Sequence, residues 1–173
     1  TIRRVLEQQL NQSIDRTTLG TTATWTPIVH LSSRLTIGFD RAALENRNLR
    51  PYGFPAVPLG VIQNQRWSST TLSTDWVNNY EFSPRNDLRI TASAGTQYVT
   101  SQVADVVGLS ENFPAPTEAT VASGSLKNAD ENRQTIVTGG VFGQTLIGYK
   151  DRYFLTIGAR IDGNSAFGKN FGF

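Results

Sequence analysis

The stretch LRITASAGTQY, residues 88–98, decides the fold, because its side chains alternate strictly between two chemical classes. Leu88 and Ile90 begin an apolar and small series, while Arg89 begins a polar series at the positions between them. Successive side chains of a β-strand point to opposite faces of a sheet, so strict alternation is the period of a strand. The stretch therefore predicts a strand with one apolar face and one polar face.

The same period recurs on both sides of this stretch. Six strands are predicted near residues 17–26, 32–42, 67–82, 87–99, 134–149 and 152–162. Only the opening segment, Thr1 to Ile14, spaces its apolar residues roughly as a helix does, and it predicts a short helix. Short links join adjacent antiparallel neighbours. The predicted fold is therefore all-β, an antiparallel up-and-down meander.

The links between the predicted strands alternate between short and long. Ser83–Asp87 and Lys150–Arg152 are compact, whereas residues 43–66 and 100–132 are long and contain Pro and Gly. Outer-membrane barrels carry tight periplasmic turns at one end and long external loops at the other, and each predicted run is close to the ~9–11 residues that a tilted strand needs to cross a bilayer. The pattern predicts a partial transmembrane β-barrel with 43–66 and 100–132 as extracellular loops.

Aromatic residues gather near the short-turn end of the predicted strands, where an interfacial girdle is expected. They are Trp25, Trp76, Tyr80, Tyr149 and Tyr153. Outer-membrane lipid is therefore a predicted partner of this surface.

Composition excludes several classes of protein. The charged fraction is 17%, below the roughly 25% of soluble domains, and the net charge of +2 with scattered basic residues gives no footprint for nucleic acid. With no Cys, neither a disulfide framework nor a thiolate metal site is possible within the chain. No stretch approaches the ~20 apolar residues of a membrane-spanning helix.

No catalytic, metal-binding or cofactor-binding residue is predicted. His30, the single His, lies in a short link, and a catalytic base would need a nucleophile and an orienting acid nearby. The glycines of residues 139–143 lack the Lys-Ser/Thr of a phosphate-binding loop and are interpreted as relief within a strand. The spacing of the acids in 100–132 matches no Ca²⁺ loop.

Charged residues within the predicted strands are the candidate site residues, because a barrel must keep charges away from lipid. The lumen-facing candidates are Arg34, Asp40, Arg89, Arg160 and Asp162. Two interpretations stay open: contact with substrate or plug, and ion pairs within the wall.

The final hairpin resembles a known family. Residues 148–156, GYKDRYFLT, followed by residues 160–168, RIDGNSAFG, are similar to a stretch of SusC/RagA-family barrels. The hairpin from Trp25-Thr26-Pro27-Ile28 to Gly38-Phe39-Asp40 also resembles barrel hairpins of that family. The chain is therefore identified as resembling the barrel of a TonB-dependent transporter.

The resemblance implies a bacterial outer-membrane barrel of about 22 strands, closed by a plug and importing nutrients such as oligosaccharides or peptides. It implies two partners: the TonB complex, reached through the plug region, and a SusD-like surface lipoprotein that contacts the long loops. The chain begins at Thr1 and contains no Met. We therefore expect residues 1–173 to be a fragment of the barrel domain, without the plug.

Two other classes of function remain as alternatives. The first is a soluble or surface-attached all-β module that binds glycans through Trp67, Trp76 and Tyr80. The second, a hydrolase, is least favoured because one turn histidine supports no nucleophile-base-acid set. Glycosidase chemistry with two carboxylates stays open, since two acids can meet in space without any sequence signal.

Overall fold

A computed structural model describes residues 7–116 and 119–168 of the chain. It contains six strands and one short 3₁₀ helix at Ser165–Phe167. The strands are β1 Gln9–Ile28, β2 Leu31–Arg50, β3 Val61–Arg85, β4 Leu88–Glu111, β5 Leu126–Tyr149 and β6 Tyr153–Asn164. They form a single sheet in the order β1-β2-β3-β4-β5-β6. The predicted all-β meander is confirmed.

The β5–β6 hairpin shows why consecutive strands pair in this way. Lys150 and Asp151 both have left-handed backbones, with φ of 54° and 51°, as a two-residue type I′ turn requires. The Arg152 amide donates to the Tyr149 carbonyl at 3.2 Å and closes the turn. Tyr149 then pairs with Tyr153, and the register continues to Thr138 opposite Asn164.

The predicted loop boundaries are wrong. Strands β2 and β3 continue through most of residues 43–66, so the loop between them is only 51–60. Similarly, β4 continues to Glu111 and β5 begins at Leu126, so most of the predicted loop at 100–132 belongs to strands. The strands β1 to β5 have 20 to 25 residues each, about twice the length expected for a bare membrane crossing.

Ladder hydrogen bonds explain these extensions. Backbone pairing does not require apolar side chains, so a polar strand continues wherever its neighbour offers a partner. Proline cannot donate to a ladder, and Pro51, Pro55 and Pro58 all lie in the true loop 51–60. Pro27 and Pro84, by contrast, are the penultimate residues of β1 and β3. The prolines of these segments therefore lie in a loop or at a strand end, not in a strand interior.

The predicted helix at Thr1–Ile14 is also wrong for the part that the structure describes. Gln9–Ile14 belong to β1, and residues 1–6 lie outside the described residues. Leu10 and Ile14 are four positions apart, a spacing that fits one face of a helix and one face of a strand equally well. The described residues contain no helix that is long and apolar enough to cross a bilayer.

The chain divides into two compact units. Unit 1 comprises Thr1–Thr17, Arg41–Thr70 and Gln102–Gln134, and unit 2 comprises Thr18–Asp40, Thr71–Ser101 and Thr135–Phe173. Unit 1 contains a small buried cluster of Leu49, Ile62, Phe113 and Ala119. In unit 2, many large apolar side chains are exposed, including Leu155 and Ile157.

Candidate functional site

The β5–β6 register assigns the side chains of unit 2 to two faces. Phe142 lies opposite Arg160, and Thr145 lies opposite Ile157. Because paired residues point to the same side and neighbours alternate, Arg160 and Asp162 share one face while Leu155 and Ile157 lie on the other. We call the first the charged face and the second the apolar face.

Hydrogen bonds extend the charged face to β4 and β3. The Arg160 Nη2 donates to Gln97 Oε1 at 2.8 Å, which places Gln97 on this face. Ser93, four residues before Gln97 on β4, donates through its hydroxyl to Asn79 Oδ1 at 2.7 Å. The charged face therefore runs continuously from β6 to β3.

Polar contacts continue the same face onto β2 and β1. Asp40 accepts a hydrogen bond from the Thr18 hydroxyl at 2.8 Å, and the Thr22 and Thr36 hydroxyls lie 3.2 Å apart. A Cβ added to Gly38 would come within 2.6 Å of the Ser73 hydroxyl of β3. This close approach joins β2 to β3 on the charged side.

The five candidate residues thus share one face, although most do not touch one another. Arg160 and Asp162 are in direct contact, and Asp40 contacts Thr18. Arg34 is two positions from Thr36, and Arg89 is four positions from Ser93, so strand alternation assigns both to the charged face. The structure brings together only the Arg160–Asp162 pair.

That pair lies flat against the sheet. The Arg160 Nε donates to both carboxylate oxygens of Asp162, at 2.8 and 2.9 Å. Both side chains are about half exposed, so water screens the attraction and the pair orients the guanidinium more than it stabilises the fold. The absent side chain at Gly140 makes the arrangement possible, because a Cβ there would overlap the Asp162 carboxylate.

Sequence reasoning missed three residues of this cluster. Gln97 accepts from Arg160, the Phe142 ring lies 6.0 Å from the guanidinium carbon, and Gly95 accommodates that ring. A Cβ on Gly95 would lie 2.7 Å from the ring atoms Cε1 and Cζ of Phe142. No signal along a single strand could have found these residues, because each contact depends on cross-strand register.

The apolar face of unit 2 carries exposed aromatic residues. Trp76 and Tyr80 of β3 are 45% and 42% exposed, and Tyr153 of β6 is 69% exposed. The Trp76 indole N–H donates to the Ser33 hydroxyl at 2.9 Å, so its polar atom is satisfied within the sheet. An exposed apolar face with satisfied polar groups is suited to hydrocarbon.

The turns of unit 2 are fixed by a few polar contacts. Arg85 Nε and Nη2 each donate to the Asp87 carboxylate at 3.1 Å, which raises the pKa of Arg85 above its ordinary value. The Lys150 amide donates to the Asp87 carbonyl at 2.7 Å and ties the third hairpin to the second. His30 adopts a left-handed turn backbone with φ of 68°, and its carbonyl accepts from the Glu81 amide.

In unit 1, the two true loops pack together, and we call residues 51–60, 112–116 and 119–125 the loop cap. The Phe113 amide donates to the Leu59 carbonyl at 2.7 Å, and the Asn112 amide donates to the Gly60 carbonyl at 3.1 Å. Phe113 belongs to the buried cluster of unit 1. The Gly124 amide donates to the hydroxyl of Ser110, which is fully buried. The loop cap is therefore an ordered structure.

Among residues 7–116 and 119–168, no group of three or more His, Cys, Asp or Glu side chains is placed to hold a metal ion. The described residues form a sheet with a hydrogen-bonded polar face and an exposed apolar face, together with an ordered loop cap.

An antiparallel meander with a polar face and an exposed apolar face has the architecture of a membrane β-barrel wall. The family model described as TonB dependent receptor-like, beta-barrel matches residues 3–173. The chain therefore belongs to the TonB-dependent receptor-like β-barrel family. This membership decides against the alternative of a soluble glycan-binding module, and the family is one of receptors and transporters rather than enzymes.

Three structures of the RagAB system are among the solved structures with the same fold. The RagAB peptide transporter matches with a TM-score of 0.88 and 19% identity over 96% of this chain and 19% of that chain. The RagAB peptide importer in its closed-closed state gives 0.88, 19% identity and coverages of 95% and 19%. The open-open state gives 0.85, 19% identity and coverages of 96% and 19%.

The chain thus spans about a fifth of the length of the solved chains that it matches. No curated protein sequence matches it.

Proposed function

We propose that this chain is part of the wall of a SusC/RagA-type transporter in the bacterial outer membrane, which imports nutrients such as oligosaccharides or peptides. The observation that carries the proposal is the separation of faces in unit 2. Arg160 and Asp162 lie on the side opposite Leu155 and Ile157. Since charges are costly in lipid, the charged face lines the lumen and the apolar face meets the bilayer.

Three features support the SusC/RagA assignment in particular. The chain belongs to the TonB-dependent receptor family, its fold is that of RagAB chains, and its last hairpin carries the residues that resemble SusC/RagA barrels. In this proposal Arg34, Asp40, Arg89, Arg160 and Asp162 all face the lumen. The energy for import comes from the TonB complex through a plug.

The proposed second partner is a SusD-like surface lipoprotein, which contacts the loop cap. The part of the cap at 51–60 contains no charged residue, and Tyr52 and Leu59 are 40% and 46% exposed. Protein interfaces are depleted in charge at their centres and enriched in aromatic side chains. An ordered, uncharged loop also loses little entropy on binding.

The experiment is nutrient uptake by cells that carry the full-length protein. A deletion strain is complemented with the full-length gene, and uptake of labelled oligosaccharides and peptides is measured with and without functional TonB. We expect uptake that requires both the protein and TonB. Uptake that is equal in TonB-deficient cells, or that is unaffected by the deletion, would refute the proposal.

A further inference from the structure

A shallow depression of about 340 Å³ lies in unit 2 between β5 and β6. Its lining residues are Phe142, Gly143, Gln144, Gly158, Ala159 and Arg160. Phe142 pairs with Arg160 and Gln144 pairs with Gly158, so the side chains that bound the depression belong to the charged face. Its volume is at the small end of ligand pockets, which range over roughly 300–1,000 Å³.

Gly158 leaves the depression open. A Cβ at this position would lie 3.1 Å from Gln144 Cβ and 3.3 Å from the Gly143 carbonyl oxygen, closer than ordinary contacts allow. Phe142 forms one side, and its ring is held over Gly95. The depression therefore has a fixed aromatic wall and a floor without a side chain.

Two polar side chains at the rim of the depression have atoms that are not used in hydrogen bonds. Arg160 uses Nε and Nη2 for Asp162 and Gln97, and among the described residues its Nη1 makes no hydrogen bond. The Gln144 amide likewise has no hydrogen-bond partner within the described part of the chain. Together they offer donors from a guanidinium and both a donor and an acceptor from an amide.

The local charge does not favour an anion. Arg160 is already bound to the Asp162 carboxylate, so its positive charge is compensated. A ligand with a carboxylate or phosphate would lose water and meet repulsion. A ligand with hydroxyl groups meets neither cost.

We propose that this depression is a subsite for one neutral, hydroxylated ring, namely a sugar residue of an oligosaccharide substrate. The proposal rests on the proposed function and narrows its substrate class to sugars over peptides. The C–H face of a sugar ring packs on the Phe142 ring, and its hydroxyls reach Gln144 and Arg160 Nη1. A peptide unit offers a donor and an acceptor, but it has no flat C–H face.

The experiment measures binding to the purified full-length protein in detergent by isothermal titration calorimetry. The probes are maltohexaose, cellohexaose, xylohexaose and mannohexaose, with a pool of tryptic peptides as the competing class. We expect at least one of the four sugars to bind, and Gly158→Ala and Phe142→Leu each to weaken that binding by about 3- to 10-fold. The matched control is Gly20→Ala on β1, which adds the same methyl group outside the depression, where nothing lies within 4 Å.

Equal affinities of Gly158→Ala and Gly20→Ala would overturn the subsite, and so would binding of peptides alone or of none of the four sugars. Retention of the compact, heat-modifiable band on electrophoresis shows that each variant is folded. If Gly158→Ala fails this check, Gln144→Leu replaces it, since it removes the amide and keeps the volume. Peptide binding with TonB-dependent peptide uptake would refute the subsite and leave the proposed function standing. Sugar binding without uptake would support the subsite and refute the proposed function.

Discussion

Gly140 and Asp162 lie directly opposite one another across β5 and β6, and the Asp162 carboxylate occupies the space that a Cβ at position 140 would fill. The glycine therefore fixes where the Arg160–Asp162 pair lies. A side chain at position 140 would lift both charged groups away from the sheet.

Gly140→Ala should lower the free energy of unfolding by about 1–3 kcal/mol, as overpacking does. Urea unfolding of the full-length protein in detergent measures this. Gly143→Ala is the control and should change stability little. In an Asp162→Ala background the penalty should shrink, since the obstructing carboxylate is gone. An undiminished penalty in that background would contradict the packing explanation.

The loop cap offers a second test. Gly60 has φ of +77°, and a Cβ there would overlap the Phe113 ring, whereas Gly53 has φ of +87° with nothing within 4 Å. Gly60→Ala should therefore open the cap, while Gly53→Ala adds only backbone strain of about 1 kcal/mol. Limited proteolysis of the loop cap measures the difference. Equal cleavage of the two variants would show that the Phe113 contact does not hold the cap.

The period-two alternation of six runs, of which residues 88–98 are the clearest, and short links such as Lys150–Arg152 predicted the meander and the order of its strands. The extents of the strands were not predictable, because polar segments such as Gln63–Arg66 stay in β3 through backbone pairing with their neighbours. Side-chain periodicity carries no information about backbone pairing, because that pairing does not require apolar side chains.

The charged residues of the candidate site were predictable one strand at a time, since period two separates Arg160 from Ile157. Gly140, Gln97 and Phe142 were not. Their roles depend on register across strands, and a change of one residue in a turn would move each of them to the other face.

Adjacent positions on β6 test the assignment of the faces. Ile157→Arg introduces a charge on the apolar face and should cost ~2–4 kcal/mol near the bilayer midplane, whereas Thr156→Arg on the charged face should be tolerated. The amount of heat-modifiable protein in isolated outer membranes measures assembly. Failure of the Thr156→Arg variant to assemble, together with normal assembly of the Ile157→Arg variant, would reverse the assignment of the two faces.

The isolated chain, residues 1–173, should aggregate without detergent and show neither transport nor catalysis. Strands β1 and β6 are at the ends of the sheet order, so each leaves one edge for further pairing. Reconstitution into liposomes with labelled oligosaccharides and peptides, together with assays on model glycosides and esters, checks this. Turnover that disappears in His30→Ala would support the hydrolase alternative, and uptake above that of empty liposomes would show that the strands close by oligomerising.

The most direct test of the central claim is the environment of each position on β6 in a bilayer. The chain contains no Cys, so single cysteines at Leu155, Thr156, Ile157 and Arg160 of the full-length protein can be spin-labelled after reconstitution in lipid. Collision with oxygen reports lipid, and collision with a water-soluble nickel chelate reports water. The labels at positions 155 and 157 should respond to oxygen and those at 156 and 160 to nickel, whereas equal accessibility along the strand, or the opposite alternation, would contradict a wall with its charged face in the lumen.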